Sequence, residues 1–525
     1  MRILRSIPFV LLLVLLPGFA HHIRANNIIV SNVNITGQNP VDDFSMVTFD
    51  VSWENSWRTS TLESNWDAAW IFVKFRLSGN LDWVHASLNN TGHAAPVGSV
   101  VTPGLVNTTL PFHISTNPVA GVFLHRATNG IGPVNYTNVQ LRWNYGANGL
   151  ADDATVEICV FAIEMVFIPQ GTFWLGDNTN GTSVSSGHFI AGNQPTPFQL
   201  TSEAAITIGN LTPTELWGSS TSGSNTIGTA GTLPADFPKG FRGFYIMKYE
   251  LSQLMYKEFL NRLTRTQQAA RVSTTILHNY MSTGSGTIAP LNRNGIRVFS
   301  DPGGTFPRIY GNDLNGNLID VQIDDGQHIA VNFVSFDDLR AFADWAGLRP
   351  ISELEYEKAG RGHLWPMANE RAWGNTMQTN ANTLIFAGQN NEAASNVGAN
   401  VAFGNAPAIL GPMRCGSFAS VATNRQQSGG SYYGVMELSG NLWELVVSAG
   451  VDVQRTFVGY MHGDGTLNAA GAANVTGWPA SGAFRGGSWV NTTTAVQLSD
   501  RTSASLPIST GRDSTHGIRL GRSIP

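Results

Sequence analysis

Phe484-Arg-Gly-Gly-Ser-Trp-Val-Asn491, read with Gly440-Asn-Leu-Trp-Glu444 upstream, is the stretch that decides the fold of this 525-residue chain. Two glycines after Arg485 ask for dihedrals closed to other residues, so Arg485-Gly-Gly reads as backbone geometry. Trp443 and Trp489 belong in the core, because large aromatics in loop-rich segments must be buried. From Gly374 onward regular helix all but vanishes. Gly/Asn/Ser-rich connections separate short apolar pieces such as Val435–Leu438 and Leu442–Val447. A structureless stretch that long ordinarily counts against a compact domain.

Upstream, helices are legible from their caps. Phe244–Glu250 reads as a strand feeding a helix near Ser252–Leu263, with Ser252 as N-cap. A second helix follows Ser335, with Asp338 three residues on, and Gly347 ends it. A third starts at Ser352 with Glu355 at the reciprocal position, a capping box. Before residue 163 the period is that of strands. Val47, Phe49, Val51 and Trp53 alternate with polar residues, as do Val139, Leu141, Trp143 and Tyr145. Trp70–Leu77 and Val156–Ile163 are continuously apolar, as strands of a two-sided core are. Turn clusters at Gly37–Pro40 and Gly130–Pro133 complete the pattern of a β-sandwich.

Composition bounds the rest. Two domains are expected at this length. Hydrophobic residues make up 42% and charged residues only 13%, with a net charge of −5. No Lys/Arg run could track a phosphate backbone, so nucleic acid is not an expected partner. Arg2 and Arg5, the apolar run Ile7–Leu16 and the exit Gly18-Phe-Ala20 read as a signal peptide over residues 1–20, too short to span a bilayer. The chain is therefore expected to be exported: secreted, periplasmic or at the cell surface, with no transmembrane segment after processing. Cys159 and Cys415 are its only cysteines. They either form one interdomain bridge or stay as buried thiols.

The two segments quoted first resemble the core of the formylglycine-generating (sulfatase-modifying factor) family, a branch of the C-type-lectin-like fold. Glu164-Met-Val-Phe-Ile-Pro-Gln-Gly-Thr-Phe-Trp-Leu-Gly-Asp177 is similar to that family's opening hairpin. Arg349-Pro-Ile-Ser-Glu-Leu-Glu-Tyr-Glu357 stands where its Leu-Pro-Thr-Glu-x-Glu-Trp-Glu run falls. Taken together, the chain is expected to be α+β: a signal peptide (1–20), a β-sandwich (21–162) and, from the resemblance, a formylglycine-generating-type domain with much irregular structure (163–525). By the same resemblance Asp500-Arg501 and Arg519 are buried ion-pairing or loop-anchoring groups.

Family enzymes bind copper through a cysteine pair, since soft thiolates select Cu(I). Their two positions fall here at Asn491 and Val496, which supply no thiolate, so no catalytic residue and no copper are expected. The iron-dependent thiol-chemistry branch needs a helical domain with histidine ligands, and the β-rich N-terminal part offers no such string. Calcium is the ion the resemblance implies, because hard cations take carboxylate and carbonyl oxygens. Glu437 and Glu444 would give carboxylates, and Gly440 and Leu442 backbone carbonyls. Alternatively the two glutamates cap or salt-bridge the loop. A second family site maps near Asn382 and Thr383. Independently, Asp313, Asn315 and Asn317 follow the alternating ligand spacing of helix-loop calcium sites, with Asp324 at position twelve. Leu318 stands at position six instead of the usual Gly, and an Asn/Gly turn explains the same residues.

Two functional readings follow. The favoured one is an exported bacterial envelope or surface protein, not an enzyme, whose family domain binds a protein or glycan partner or self-assembles. The Asn491–Ser509 segment, rich in small hydroxyl residues, is its expected recognition surface. The alternative is an oxidoreductase of the sulfatase-modifying factor family, forming formylglycine or oxidising related thiols with an altered site.

Overall fold

The computed structural model describes residues 24–524 apart from 26, 110–112, 180–186, 220–229, 283–288, 321, 421–422 and 505–507. The expected signal peptide lies outside them, as does part of Asn491–Ser509. Strands dominate and helices are few. Ile28–Asn39 (β1), Phe44–Arg58 (β2), Asp67–Leu77 (β3), Ser99–Thr109 (β4), His113–Arg126 (β5), Gly130–Trp143 (β6) and Val156–Ile168 (β7) form the first part. Phe244–Met247 (β8), Arg349–Pro350 (β9), Trp443–Val446 (β10), Ala483–Arg485 (β11), His516–Gly517 (β12) and Leu520–Ser523 (β13) organise the rest. The α-helices among the described residues are Gln253–Leu260 (α1), Arg265–Ala270 (α2), Phe336–Trp345 (α3) and Glu353–Arg361 (α4).

Alternation explains the layers. On β3, Ala69, Ile71, Val73 and Phe75 point one way, with Val160 and Ala162 of β7. They pack on Val47, Phe49, Val51 and Trp53 of β2, so two sheets face each other across this cluster. Ala68, Trp70 and Phe72 point the other way, with Phe161 and Ile163. They pack on Phe259 of α1 and on Leu339, Phe342 and Trp345 of α3. The continuous apolar runs of β3 and β7 thus belong to a sheet covered on both faces.

That central sheet is eight-stranded, in the order β9-β13-β8-β7-β3-β5-β4, with the short pair Val84–His85 beside β3. Strand β7 pairs antiparallel with β3 on one side and β8 on the other. Residue 162, the expected division, lies inside β7. Side chains span the same line. Trp70 Nε1 donates to the Ala346 carbonyl (2.8 Å), Lys74 Nζ to that of Gly465 (2.7 Å) and Arg522 to that of Gly104 (3.0 Å).

The helices start where their caps stand. Ser252, Ser335 and Ser352 each accept an N–H of the first turn, and Ser335/Asp338 and Ser352/Glu355 form capping boxes. Thr264 and Gln267 do the same for α2, which has no apolar period to announce it. The cysteines are unpaired.

Candidate functional site

Strand β10 is the centre of the site. Glu444 opposes Arg485 of β11, and Trp443 lies parallel to His516 of β12. Arg485 is more than a turn residue. Fully buried, it donates to Glu353 (3.1 Å) and Glu357 (2.7 Å) of α4 and to the Leu498 carbonyl. Arg501 also clasps Glu353, at 2.8 and 3.1 Å. Burial alone would raise the Glu353 pKa, but Arg501 and Arg485 outweigh it and hold it below the ordinary value. The two glycines that follow have φ of +88° and +72°. A Cβ on Gly486 would sit 2.8 Å from the Leu438 carbonyl oxygen.

The turn closes on Asn491. Its Oδ1 accepts from Ser488 N (2.9 Å) and Ser488 Oγ (2.6 Å), and its own N–H returns to the Ser488 carbonyl. Val496 is fully buried. Asn491 thus holds the turn, and Val496 fills the core. Cys415 lies elsewhere, against the Glu250 carbonyl at 3.3 Å; burial, with Glu437 and Glu250 nearby, pushes its thiol well up. Cys159 stands in β7, with Arg262 at 3.2 Å.

Beneath β10 three carboxylates share one arginine. Glu444 Oε1 accepts from Arg519 Nε (2.7 Å), and the same guanidinium reaches the Met247 and Met436 carbonyls. Glu437, at φ +56°, accepts from Gly416 N (2.7 Å). Glu250, which no sequence spacing singles out, accepts from Leu442 N (3.0 Å) and from Asn441 Nδ2. Gly440 N–H pairs with the Gly486 carbonyl. Burial drives Glu437 up to about 7 and Glu250 well above the carboxylate range, the latter helped by Glu444. Glu437 Oε2 and Glu444 Oε2 are buried without a partner. The donors gathered here are oxygens, the kind calcium takes and not the thiolates copper needs, and the cation they face is Arg519.

The other expected loops are internally satisfied. Asp313 is buried, paired with Arg297 and accepting from Asn317 N and Leu318 N. Asn315 bridges to Asp324 (3.0 Å) and accepts from Asn317 N, and the Asn317 side chain accepts from Ile319 N. Asn382 N donates to Asn396, and Thr383 Oγ1 meets Ser395 Oγ, beside the hairpin Leu384–Ile385/Ala393–Ala394. Among the described residues no group of three or more His, Cys, Asp or Glu side chains is placed to hold a metal.

A mostly β, α+β architecture around the β10–β11 pair defines the class. The model of the sulfatase-modifying factor enzyme 1-like domain matches residues 161–524, and the chain belongs to that family. Its first matched residues are in β7, inside the central sheet. No curated protein matches the chain. Among solved structures, the Treponema denticola variable protein 1 is similar over 69% of this chain and 96% of its own, at 13% identity and a TM-score of 0.28.

Proposed function

We propose that this is an exported envelope or cell-surface protein whose family domain, of lectin-like fold, binds or assembles and does not oxidise thiols. The β-rich N-terminal part, read as a sandwich, acts with it as one body. One observation carries the reading: Asn491 and Val496, where the family's thiolates would stand, are spent on the turn at Ser488 and on the core. Of the two cysteines, Cys415 is buried with its pKa raised and Cys159 lies in β7 against Arg262. A cysteine that cannot ionise is a poor metal ligand and a poor nucleophile. The partner class is a protein or glycan at the surface, or a second copy of the chain.

Native purification from envelope extract should bring down a stoichiometric partner or a self-assembled species. Purified protein given Cu(I), oxygen and a cysteine peptide should leave the peptide unoxidised; turnover would overturn the reading. Calcium at Glu437 and Glu444, with the Gly440 and Leu442 carbonyls, belongs to the same reading as a structural ion. Excess calcium should then raise the melting temperature and chelator lower it, while an unchanged melt would remove calcium from the account.

A further inference from the structure

Asp67, Glu164 and Lys248 come from three neighbouring strands or strand ends of the central sheet, and register places them on one face. Asp67 opposes Val166, Ala69 opposes Glu164, and Lys248 N donates to the Glu164 carbonyl at 2.9 Å. Residues 67, 164 and 248 thus point the same way, towards the facing sheet. Lys248 Nζ lies 3.2 Å from Asp67 Oδ2 and 3.0 Å from Glu164 Oε2, with side-chain exposures of 3%, 0% and 1% for the lysine, aspartate and glutamate. The Trp57 and Tyr249 rings wall the amine at 5.0 and 5.3 Å.

The polar contacts are unequal in a way that suits acyl transfer. Asp67 Oδ1 accepts from Ser56 Oγ (2.7 Å) and Trp57 N (3.0 Å), a pair of fixed donors on one oxygen. Oδ2 takes Trp53 Nε1 (2.9 Å) and the lysine. Glu164 Oε1 is buried without a partner. One cation faces two carboxylates here. Burial pushes Glu164 up to about 8, only partly opposed by Lys248. For Lys248 burial pulls down, but Glu164, Tyr249 and Asp67 outweigh it and the ammonium is favoured.

We propose that Lys248 and Asp67 condense into an intramolecular isopeptide bond, with Glu164 as the catalytic proton carrier. The ammonium gives one proton to Asp67 Oδ2, and the freed nitrogen lone pair attacks Asp67 Cγ. Charge gathers on Oδ1, where Ser56 Oγ–H and Trp57 N–H stabilise it. Glu164 Oε2, 3.0 Å from the nitrogen, then takes a second proton from it and hands that proton on to the leaving oxygen. The Cγ–Oδ2 bond breaks, Oδ1 returns to a carbonyl and one water departs. Glu164 ends as it began, and no oxidant or cofactor is consumed. The dry pocket favours the product, because an amide replaces a buried ion pair whose desolvation is costly. The bond ties β3 to the residue after β8 across β7.

Intact mass of the full chain under denaturing conditions tests this. We expect a mass one water below that of the sequence from its observed N-terminus, and a branched proteolytic peptide joining the Asp67 and Lys248 segments. Full mass, or water loss without that branched peptide, overturns the proposal. Lys248→Arg, which keeps the buried cation, should retain the native near-ultraviolet dichroism but show the full mass for its sequence. Glu164→Gln should also stay unlinked; a linked Glu164→Gln chain would overturn the part assigned to Glu164.

Discussion

Asn491 holds its loop with a side-chain amide. An amide there offers Oδ1 to both the N–H and the hydroxyl of Ser488, which a thiol could not match in strength. Asn491→Ala leaves both donors short of an acceptor and should cost roughly 1–3 kcal/mol in urea unfolding. Asn491→Cys should lose the same contacts without gaining copper, because Val496 still offers no second sulfur. His462 is a different kind of residue-scale commitment. Its Nε2 accepts from Ser523 N (3.0 Å), which only the neutral ring can do, and burial, with Arg522 and Arg349 beside it, holds its pKa well below the ordinary value. The unfolded chain takes up a proton near pH 6.5 that the folded chain refuses. Stability from this group is thus intact at pH 7 and is lost as pH falls below about 6.5, by up to ~1.4 kcal/mol per pH unit. His462→Gln keeps an acceptor for Ser523 N and removes the titration. Its unfolding free energy should fall less between pH 7 and 5 than that of the parent, and parallel curves would refute the assignment.

At the scale of elements, α4 is both a capped helix and an ionic anchor. Ser352 Oγ accepts from Glu355 N (3.1 Å) and donates to the Pro238 carbonyl (2.6 Å), so Ser352→Ala should cost about 1–2 kcal/mol. From its other face Glu353 and Glu357 receive Arg485 and Arg501, with Arg361 one turn along. Arg485→Met takes one of two buried arginines from Glu357, which keeps Arg361, and one of two from Glu353, which keeps Arg501, and should cost about 3–5 kcal/mol, as broken buried pairs do. Denaturant titration of each variant decides both figures. Of this, only the local chemistry is legible in the sequence. The caps at Ser252, Ser335 and Ser352 are chemistry within four residues, and the two-faced apolar runs of β3 and β7 are local patterns, so sequence reading finds them. Glu250 beneath β10, or Glu353 meeting Arg485, cannot be found that way, since the partners lie far apart in the chain and only the tertiary fold pairs them. Arg485-Gly-Gly shows the mixture: the glycines read correctly as backbone, while the arginine's ionic role was hidden.

For the whole molecule the decisive element is β7, because it carries hydrogen bonds to both halves at once. Its Val156–Ile168 ladder pairs with β3 through eleven register positions and with Phe244–Met247 through four. The cluster holding Trp70, Phe72 and Phe161 also holds Phe259, Phe342 and Trp345, so neither half has that apolar face covered without the other. Trp70, Lys74 and Arg522 add polar ties whose buried donors would lose their acceptors on separation. Two bodies joined in this way share one sheet and one core, unlike the small and polar contacts typical between independent domains. The full chain should therefore unfold in a single transition, with tryptophan fluorescence and far-ultraviolet dichroism coincident. A fragment of residues 163–525 keeps β8 but loses most of β7 and all of β3, leaving Phe259, Phe342 and Trp345 uncovered. It should be aggregation-prone and lack a cooperative melt, and residues 24–162 alone should behave likewise. If 163–525 melts cooperatively by itself, the continuity through β7 is a seam between two stable domains and not the spine of one.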